Sequence, residues 1–148
     1  MKKYDILSAD DKVAFDSIYD ALNDCFGKDY KAWMKACWPS YSPEKFRAWF
    51  PKLAPVKNGV YQAAVNGCIN TITPDWEEVI FDDLKKSFDG NYYTGLDLIF
   101  AKDVDGKYVF RGVYKLDMDK TIPNHYVSRR VATKVQLLGD PVYDVRLL

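Results

Sequence analysis

The sequence has one histidine, His125, three cysteines, eight glycines and no net charge, with 21 Lys and Arg set against 21 Asp and Glu. Each scarcity excludes something. Cys25, Cys37 and Cys68 are odd in number and widely spaced with no CxxC, so neither a disulfide framework nor a zinc site is expected. The glycines are too scattered for a phosphate-cradling loop, and Asp103-Val104-Asp105-Gly106 lacks the glycine and glutamate positions of a calcium loop. No run reaches the roughly 18–20 apolar residues of a membrane span, and Asp5, Asp10 and Asp11 interrupt the basic start before a signal-peptide core forms. A cytoplasmic protein without cofactor, metal or membrane attachment is the expectation.

What is present is aromatic: 16% of the chain is Phe, Trp or Tyr, within a 48% apolar total. Its 148 residues fit one domain, 1–148, large enough to bury a core without covalent staples. The pattern changes near Gly90, from a helical half, 1–90, to a β-meander half, 91–148. Phe15, Tyr19, Leu22 and Phe26 recur at helical spacing after Ser8 and stop at Gly27. Asp29 opens a second helix bearing Tyr30, Trp33, Met34 and Cys37, ended by Pro39. Ser42-Pro43-Glu44 starts a third bearing Phe46, Trp49 and Phe50. Thr73-Pro74-Asp75 opens the clearest one, with Trp76, Ile80, Leu84 and Phe88 at steps of four and a stop at Asp89-Gly90.

Between the last two, Asn58-Gly59 reads as a turn, and Val60–Val65 fits a short strand or a helical turn. Beyond Gly90 the period is two. Leu96–Ala101, Lys107–Asp117, a bent His125–Leu138 and Val142–Leu147 read as strands, with a hairpin at Asp103–Gly106, where Gly106 supplies positive φ, and a turn at Gly139-Asp140-Pro141. In Lys107–Asp117 the alternation puts Tyr108, Phe110, Gly112, Tyr114 and Leu116 on one face. The fold class is therefore α+β: N-terminal helices packed on a C-terminal antiparallel sheet that curls toward a partly open barrel.

Charge is partitioned along the chain. From Asp75 to Asp105 there are nine acids and three bases; from Lys107 to Lys134 there are seven bases and two acids. The basic block carries interleaved aromatics, a combination that holds phosphates and stacks bases. The expected nucleic-acid contacts are Arg111, Lys115, Arg129, Arg130 and Lys134 for phosphates, and Phe110, Tyr114, Tyr92 and Tyr93 for stacking. Trp33, Trp38, Tyr41, Phe46, Trp49 and Phe50, within eighteen residues, form an aromatic cluster that suits a core or a binding surface.

Phe110-Arg111-Gly112-Val113-Tyr114-Lys115-Leu116 resembles the Tyr-Asp-Gly-Leu-Tyr-Lys-Val strand of SRA (YDG) domains, with Gly112, Tyr114 and Lys115 in common. These domains belong to the PUA-like group with EVE, YTH and ASCH modules. The resemblance implies a compact curved-sheet barrel with packed helices, and recognition of a modified base in an aromatic-lined pocket of DNA or RNA.

The leading expectation is a small non-catalytic module that binds nucleic acid through a basic, aromatic-bearing sheet. One alternative is a protein-binding accessory or inhibitor, of the kind carried by phages or mobile elements, acting through that aromatic cluster and an acidic helix with Trp76, Glu77, Glu78, Asp82 and Asp83. Another is an enzyme using His125 with Asp119 or Tyr126; no nucleophile motif accompanies them.

Overall fold

A computed structural model of the chain describes residues 2–39, 45–86, 92–104, 106–139 and 143–148. Among them lie one α-helix, α1 (Ile18–Phe26), and thirteen strands. The strands are β1 (Ile6–Ser8), β2 (Ala14–Phe15), β3 (Cys37–Trp38), β4 (Phe46–Trp49), β5 (Val56–Lys57), β6 (Val60–Tyr61) and β7 (Cys68–Ile72). They continue with β8 (Glu78–Asp83), β9 (Leu96–Lys102), β10 (Tyr108–Leu116), β11 (His125–Ala132), β12 (Lys134–Leu138) and β13 (Asp144–Leu147).

The main sheet runs β3-β4-β9-β10-β11-β8-β7, with β2 added on β10, and β1-β12-β13 form a second sheet. Every pair in the main sheet is antiparallel except β4 with β9. The sheet curls without closing: β3 and β7 remain edges, yet Trp49 on β4 meets Phe81 on β8, with ring centroids 6.0 Å apart.

The outer face of the curl carries the larger core. Leu98, Phe100, Phe110 and Val113 pack there against Leu22, Cys25 and Phe26 of α1 and against Leu7, Val135 and Leu137 of the second sheet. Phe50 stacks on Phe100 at 4.8 Å and Phe26 lies beside Trp38 at 4.8 Å, so much of the aromatic cluster is core. Inside the curl, Val79, Ile99, Ala101 and Tyr114 are buried with Trp49, Leu53 and Ile72 against them.

The meander half matches its period-two pattern. The long third strand breaks at Thr133 into β11 and β12, which join different sheets. Strand β10 carries a correction, because Phe110 and Gly112 pair with the adjacent residues Phe100 and Ile99. Arg111 is therefore the extra residue of a bulge, and alternation slips by one. Tyr108, Phe110 and Val113 share the outer core, while Tyr114 lies inside the curl, opposite the face expected for it. Gly112, at φ 129°, allows this path; a Cβ there would sit 2.8 Å from the Ala132 carbonyl oxygen. Gly106 is not among the positive-φ glycines.

The helical half is mostly corrected. Among the described residues only α1 forms, and Ser17 rather than Ser8 caps it, accepting from the Asp20 N–H at 3.1 Å; Gly27 ends it at φ 66° as expected. Residues 29–36 have no regular structure before β3, and Phe46–Trp49 is strand, with Phe46, Ala48 and Phe50 alternating into the core. Asn58-Gly59 is a left-handed turn joining β5 to β6, which settles the short-strand alternative for Val60 and Tyr61.

The stretch after Thr73 is a tight turn followed by β8. Thr73 Oγ1 accepts from the Glu78 N–H at 3.0 Å, Asp75 Oδ1 accepts from the Glu77 N–H at 3.0 Å, and Trp76 takes φ 61°. The residues that looked like a helix cap close a hairpin instead. Tyr41, the Ser42–Glu44 start, Phe88, the Asp89-Gly90 stop, Asp105 and the Asp140-Pro141 turn lie outside the described residues. No helix among the described residues is long and apolar enough to cross a membrane.

Candidate nucleic-acid interface

The antiparallel pairing of β8 with β11 brings the acidic and basic stretches together. Glu78 lies across from Arg129 and Asp82 across from His125. Arg130 bonds Glu77 at 2.9 Å, Lys120 bonds Glu78 at 2.6 Å, Arg111 bonds Asp103 at 3.1 Å, and His125 Nδ1 meets Asp82 Oδ1 at 2.5 Å. Much of the basic block is thus neutralised within the fold. The adjoining open depression, about 520 Å³ and lined by Thr73, Pro74, Asp75, Glu77, Glu78, Lys120 and Arg129, has three carboxylates to two bases and suits a phosphate poorly.

The expected contact residues separate accordingly. Arg111 is only 4% exposed; it donates to the Ala101 carbonyl at 3.0 Å and stacks on Trp76 at 4.5 Å. Its assignment to phosphates is corrected: the bulge turns it inward, where it has protein partners. Phe110 is core on the outer face and cannot stack on a ligand. Tyr114 is fully buried, its hydroxyl donating to the Trp76 carbonyl at 2.6 Å, and burial pushes its pKa up, so it stays a donor. Arg130 is held by Glu77 and by the carbonyls of Asp75 and Arg111.

Lys115, Arg129 and Lys134 are exposed and form no ion pair among the described residues. Lys115 lies directly across the ladder from Arg129, a like-charge pairing that is unfavourable until an anion joins it. The acidic helix that the protein-partner alternative requires does not form. Glu77 precedes β8; Glu78, Asp82 and Asp83 lie on it; Asp83 is buried and Trp76 sits under Arg111. His125 lies against Asp82 rather than against Asp119.

The curl assembles a different set of side chains. Phe81 stacks on Tyr126 at 5.5 Å, Tyr92 meets Tyr126 edge-on at 5.5 Å, and Trp49 meets Phe81 edge-on at 6.0 Å. These rings come from β4, β8, β11 and the segment before β9, and Asp83 lies two residues beyond Phe81, hence on the same face. At the β4 side, Arg47 is bonded through Nε and Nη2 to buried Asp97, at 2.5 and 3.3 Å. The Arg47 guanidinium lies 4.4 Å from the Tyr93 ring and 5.8 Å from the Trp49 ring. Burial pushes the Asp97 carboxyl up to about 6, with Arg47 opposing the shift. Phe81, Arg47 and Asp97 were not among the residues expected to form a site; Trp49 was expected only within the aromatic cluster that suits a core or a binding surface, and Tyr126 only beside His125 in the enzyme alternative. They sit on strands that the sequence pattern read as helix, or on inward faces that only the curl brings together.

One charge signal was countable and missed. From Tyr30 to Pro74 there are six bases and one acid, Glu44, and no acid at all between Lys45 and Pro74. That stretch includes β3, β4 and the β5–β6 hairpin, where Val56, Val60 and Tyr61 are exposed.

Comparison with solved structures finds the 5-hydroxymethylcytosine-specific restriction enzyme AbaSI, 26% identical, with a TM-score of 0.64 over 89% of this chain. The chain covers 42% of that enzyme, so it spans less than half its length. No curated protein matches by sequence. The SET and RING associated domain family matches residues 1–137, nearly the whole chain, in agreement with the seven-residue resemblance in β10 and the curled sheet. This chain belongs to the SET and RING associated (SRA) domain family.

Proposed function

We propose that the chain is a DNA-binding module that accepts a single base, a 5-substituted cytosine, on the inner face of its curled sheet. The observation that carries this reading is the convergence of Trp49, Phe81, Tyr126 and Tyr92 from four parts of the chain, on the β8 face that by alternation also carries buried Asp83. Aromatic rings hold an unstacked base by its faces, each stack contributing about 1–3 kcal/mol. The exocyclic amine of cytosine donates to a carboxylate, which is the role for Asp83. The restriction enzyme that this chain resembles is specific, by its name, for a cytosine of this kind.

Lys115 and Arg129, which alternation with Tyr114 and Tyr126 puts on the outer face, and Lys134 supply phosphate contacts only where the duplex passes the edge of the sheet, positioning it without reading it. The β5–β6 hairpin, two-stranded, acid-free and apolar at Val56, Val60 and Tyr61, has the dimensions of an element that enters a groove. This reading assigns recognition, not bond cleavage, to these residues.

The test is an anisotropy titration at two salt concentrations with three duplexes, carrying 5-hydroxymethylcytosine, 5-methylcytosine or cytosine at one position. A modified duplex is expected to bind most tightly, and Trp49→Ala to weaken it roughly ten-fold or more. Equal affinities for all three would remove the base-reading claim, and no binding to any would remove DNA binding itself.

A further inference from the structure

Residues 27–36, between α1 and β3, hold a feature that the aromatic face inside the curl does not use. Trp33 is 80% exposed, whereas Trp38, Trp49 and Trp76 are half-buried. An indole left in water forfeits one of the largest apolar burials open to any side chain. Lys31 and Lys35 flank it two residues away on either side; both are exposed, and neither is ion-paired among the described residues.

The segment is anchored at both ends. Asn23 on α1 brackets Tyr30, accepting from its N–H and donating to its carbonyl, each at 2.8 Å. The Trp38 indole N–H donates to the Tyr30 hydroxyl at 3.2 Å, and Lys28 lies 4.1 Å from the Tyr143 ring. At the far end the Ala36 carbonyl accepts from the Phe50 N–H at 2.8 Å, and Cys37 pairs with Trp49 across the β3–β4 ladder. The loop is therefore tied to β4, the strand that carries Arg47 and Trp49, and it opens the stretch of six bases and one acid. An indole held out from an anchored loop between two free lysines matches the pairing of aromatic platform and phosphate-tracking cations that binds single strands. A protein-docking surface would place exposed apolar side chains around Trp33; its exposed chain neighbours here are Lys31, Ala32, Lys35 and Ala36, while Met34 packs against the main core.

We infer that the 28–36 loop is a second nucleic-acid contact, in which Trp33 stacks on an unpaired base and Lys31 and Lys35 hold the flanking phosphates. The inference rests on the DNA-binding reading but not on the choice of modified base. It extends the footprint beyond the inner face of the curl, along the β3 edge of the sheet.

Oligothymidylate of twelve nucleotides is the probe, because it offers no cytosine. Its titration into the intact chain is expected to quench tryptophan fluorescence. Trp33→Ala is expected to abolish most of the quench and weaken binding roughly five- to hundred-fold, while Trp33→Phe keeps most of the affinity. Lys31→Gln and Lys35→Gln should each reduce the dependence of log K on log salt by about 0.7. Trp33 is exposed, so these variants fold. The modified-cytosine duplex with Trp49→Ala separates the two readings: loss of duplex binding with oligothymidylate binding intact supports this loop as its own contact. Unquenched fluorescence at saturating oligonucleotide, or unchanged affinity in Trp33→Ala, overturns the inference while leaving the duplex reading standing. Trp33-dependent self-association in sedimentation, without any effect on oligonucleotide binding, overturns it in favour of a protein contact.

Discussion

Gly112→Ala tests the bulge on which the division of β10 between two faces depends. At φ 129° the backbone occupies a region that L side chains rarely adopt, and the new methyl would meet Arg130 Cδ at 2.7 Å and the Ala132 carbonyl oxygen at 2.8 Å. The arginine methylene can shift, though its guanidinium bonds to Glu77 and to the Asp75 and Arg111 carbonyls would lengthen. The Ala132 oxygen belongs to β11, paired with Val113 at that point, and cannot move without opening the ladder. Backbone strain of about 1–3 kcal/mol and overpacking of a similar size, less about 0.4–1 kcal/mol from a stiffer unfolded chain, leave a loss of about 2–5 kcal/mol. For a chain of this length that is a fall in melting temperature of roughly 6–15 °C. Circular dichroism melts and urea unfolding measure it, with Gly59→Ala as control. Gly59 has φ 77° but nothing within 4 Å of a built Cβ, so it carries the strain alone, about 1 kcal/mol. A Gly112→Ala protein that melts within about 2 °C of the parent would refute the argument, since neither strain nor contact would then be real.

Arg111→Met removes the bonds to Ala101 and Asp103 and the stack on Trp76; urea unfolding should show a loss of about 2–4 kcal/mol while the salt dependence of DNA binding stays unchanged. Unaltered stability with a weaker salt dependence would return Arg111 to the phosphates. Lys115→Gln and Arg129→Gln should do the opposite, each lowering the salt slope on duplex DNA by about 0.9 with little change in melting temperature. Asp97 makes stability depend on pH. Burial raises its folded pKa to about 6, above an unfolded value of about 4, so the folded chain holds that proton more tightly and unfolding free energy falls as pH rises through that interval. Asp97→Asn should flatten this part of the profile in urea titrations at pH 4, 5 and 6; an unchanged profile would reject the assignment.

The parts of the fold that were legible are those where only one period fits. Leu96–Ala101 and Lys107–Asp117 carry strand-favouring residues at a period of two, the second with one slip at Arg111, and Asn58-Gly59 has the turn chemistry of a two-residue hairpin. The helix expected after Thr73 was misread because a spacing of four is also an even number. Trp76, Ile80 and Leu84 satisfy a helix face and a strand face alike, and Val79, Ile80 and Phe81 are residues that favour strand. The Thr73-Pro74-Asp75 signal is similarly two-valued, since the side chains that cap a helix also close a turn. A bulge shifts the alternation with no residue that announces where, so the inward position of Tyr114 was not readable, and neither was the burial of Arg111. The charge blocks were read correctly as composition. That they would neutralise one another followed only from the β8–β11 pairing, which joins residues some 45 positions apart. The family was legible in seven residues of β10, because Gly112 and Tyr114 answer to the bulge and to the interior of the curl.

The turn between β7 and β8 is fastened from several directions: Thr73 and Asp75 close it from within, Arg130 holds two of its residues, Tyr114 bonds the Trp76 carbonyl, and Arg111 covers the Trp76 ring. Among the described residues the β5–β6 hairpin is tied to the rest of the fold only at its base, where Ala54, Gln62 and Ala64 donate backbone bonds to Asn70, Pro55 and Cys68, and Gln62 Nε2 bonds the Val60 carbonyl within it. The two neighbouring projections therefore divide a mechanical labour. One is a rigid reference that keeps the inner face in register, so changes in it act through the folding equilibrium. The other hangs from a short stem of backbone bonds with its apolar side chains exposed, so changes in it act on binding rather than on the fold.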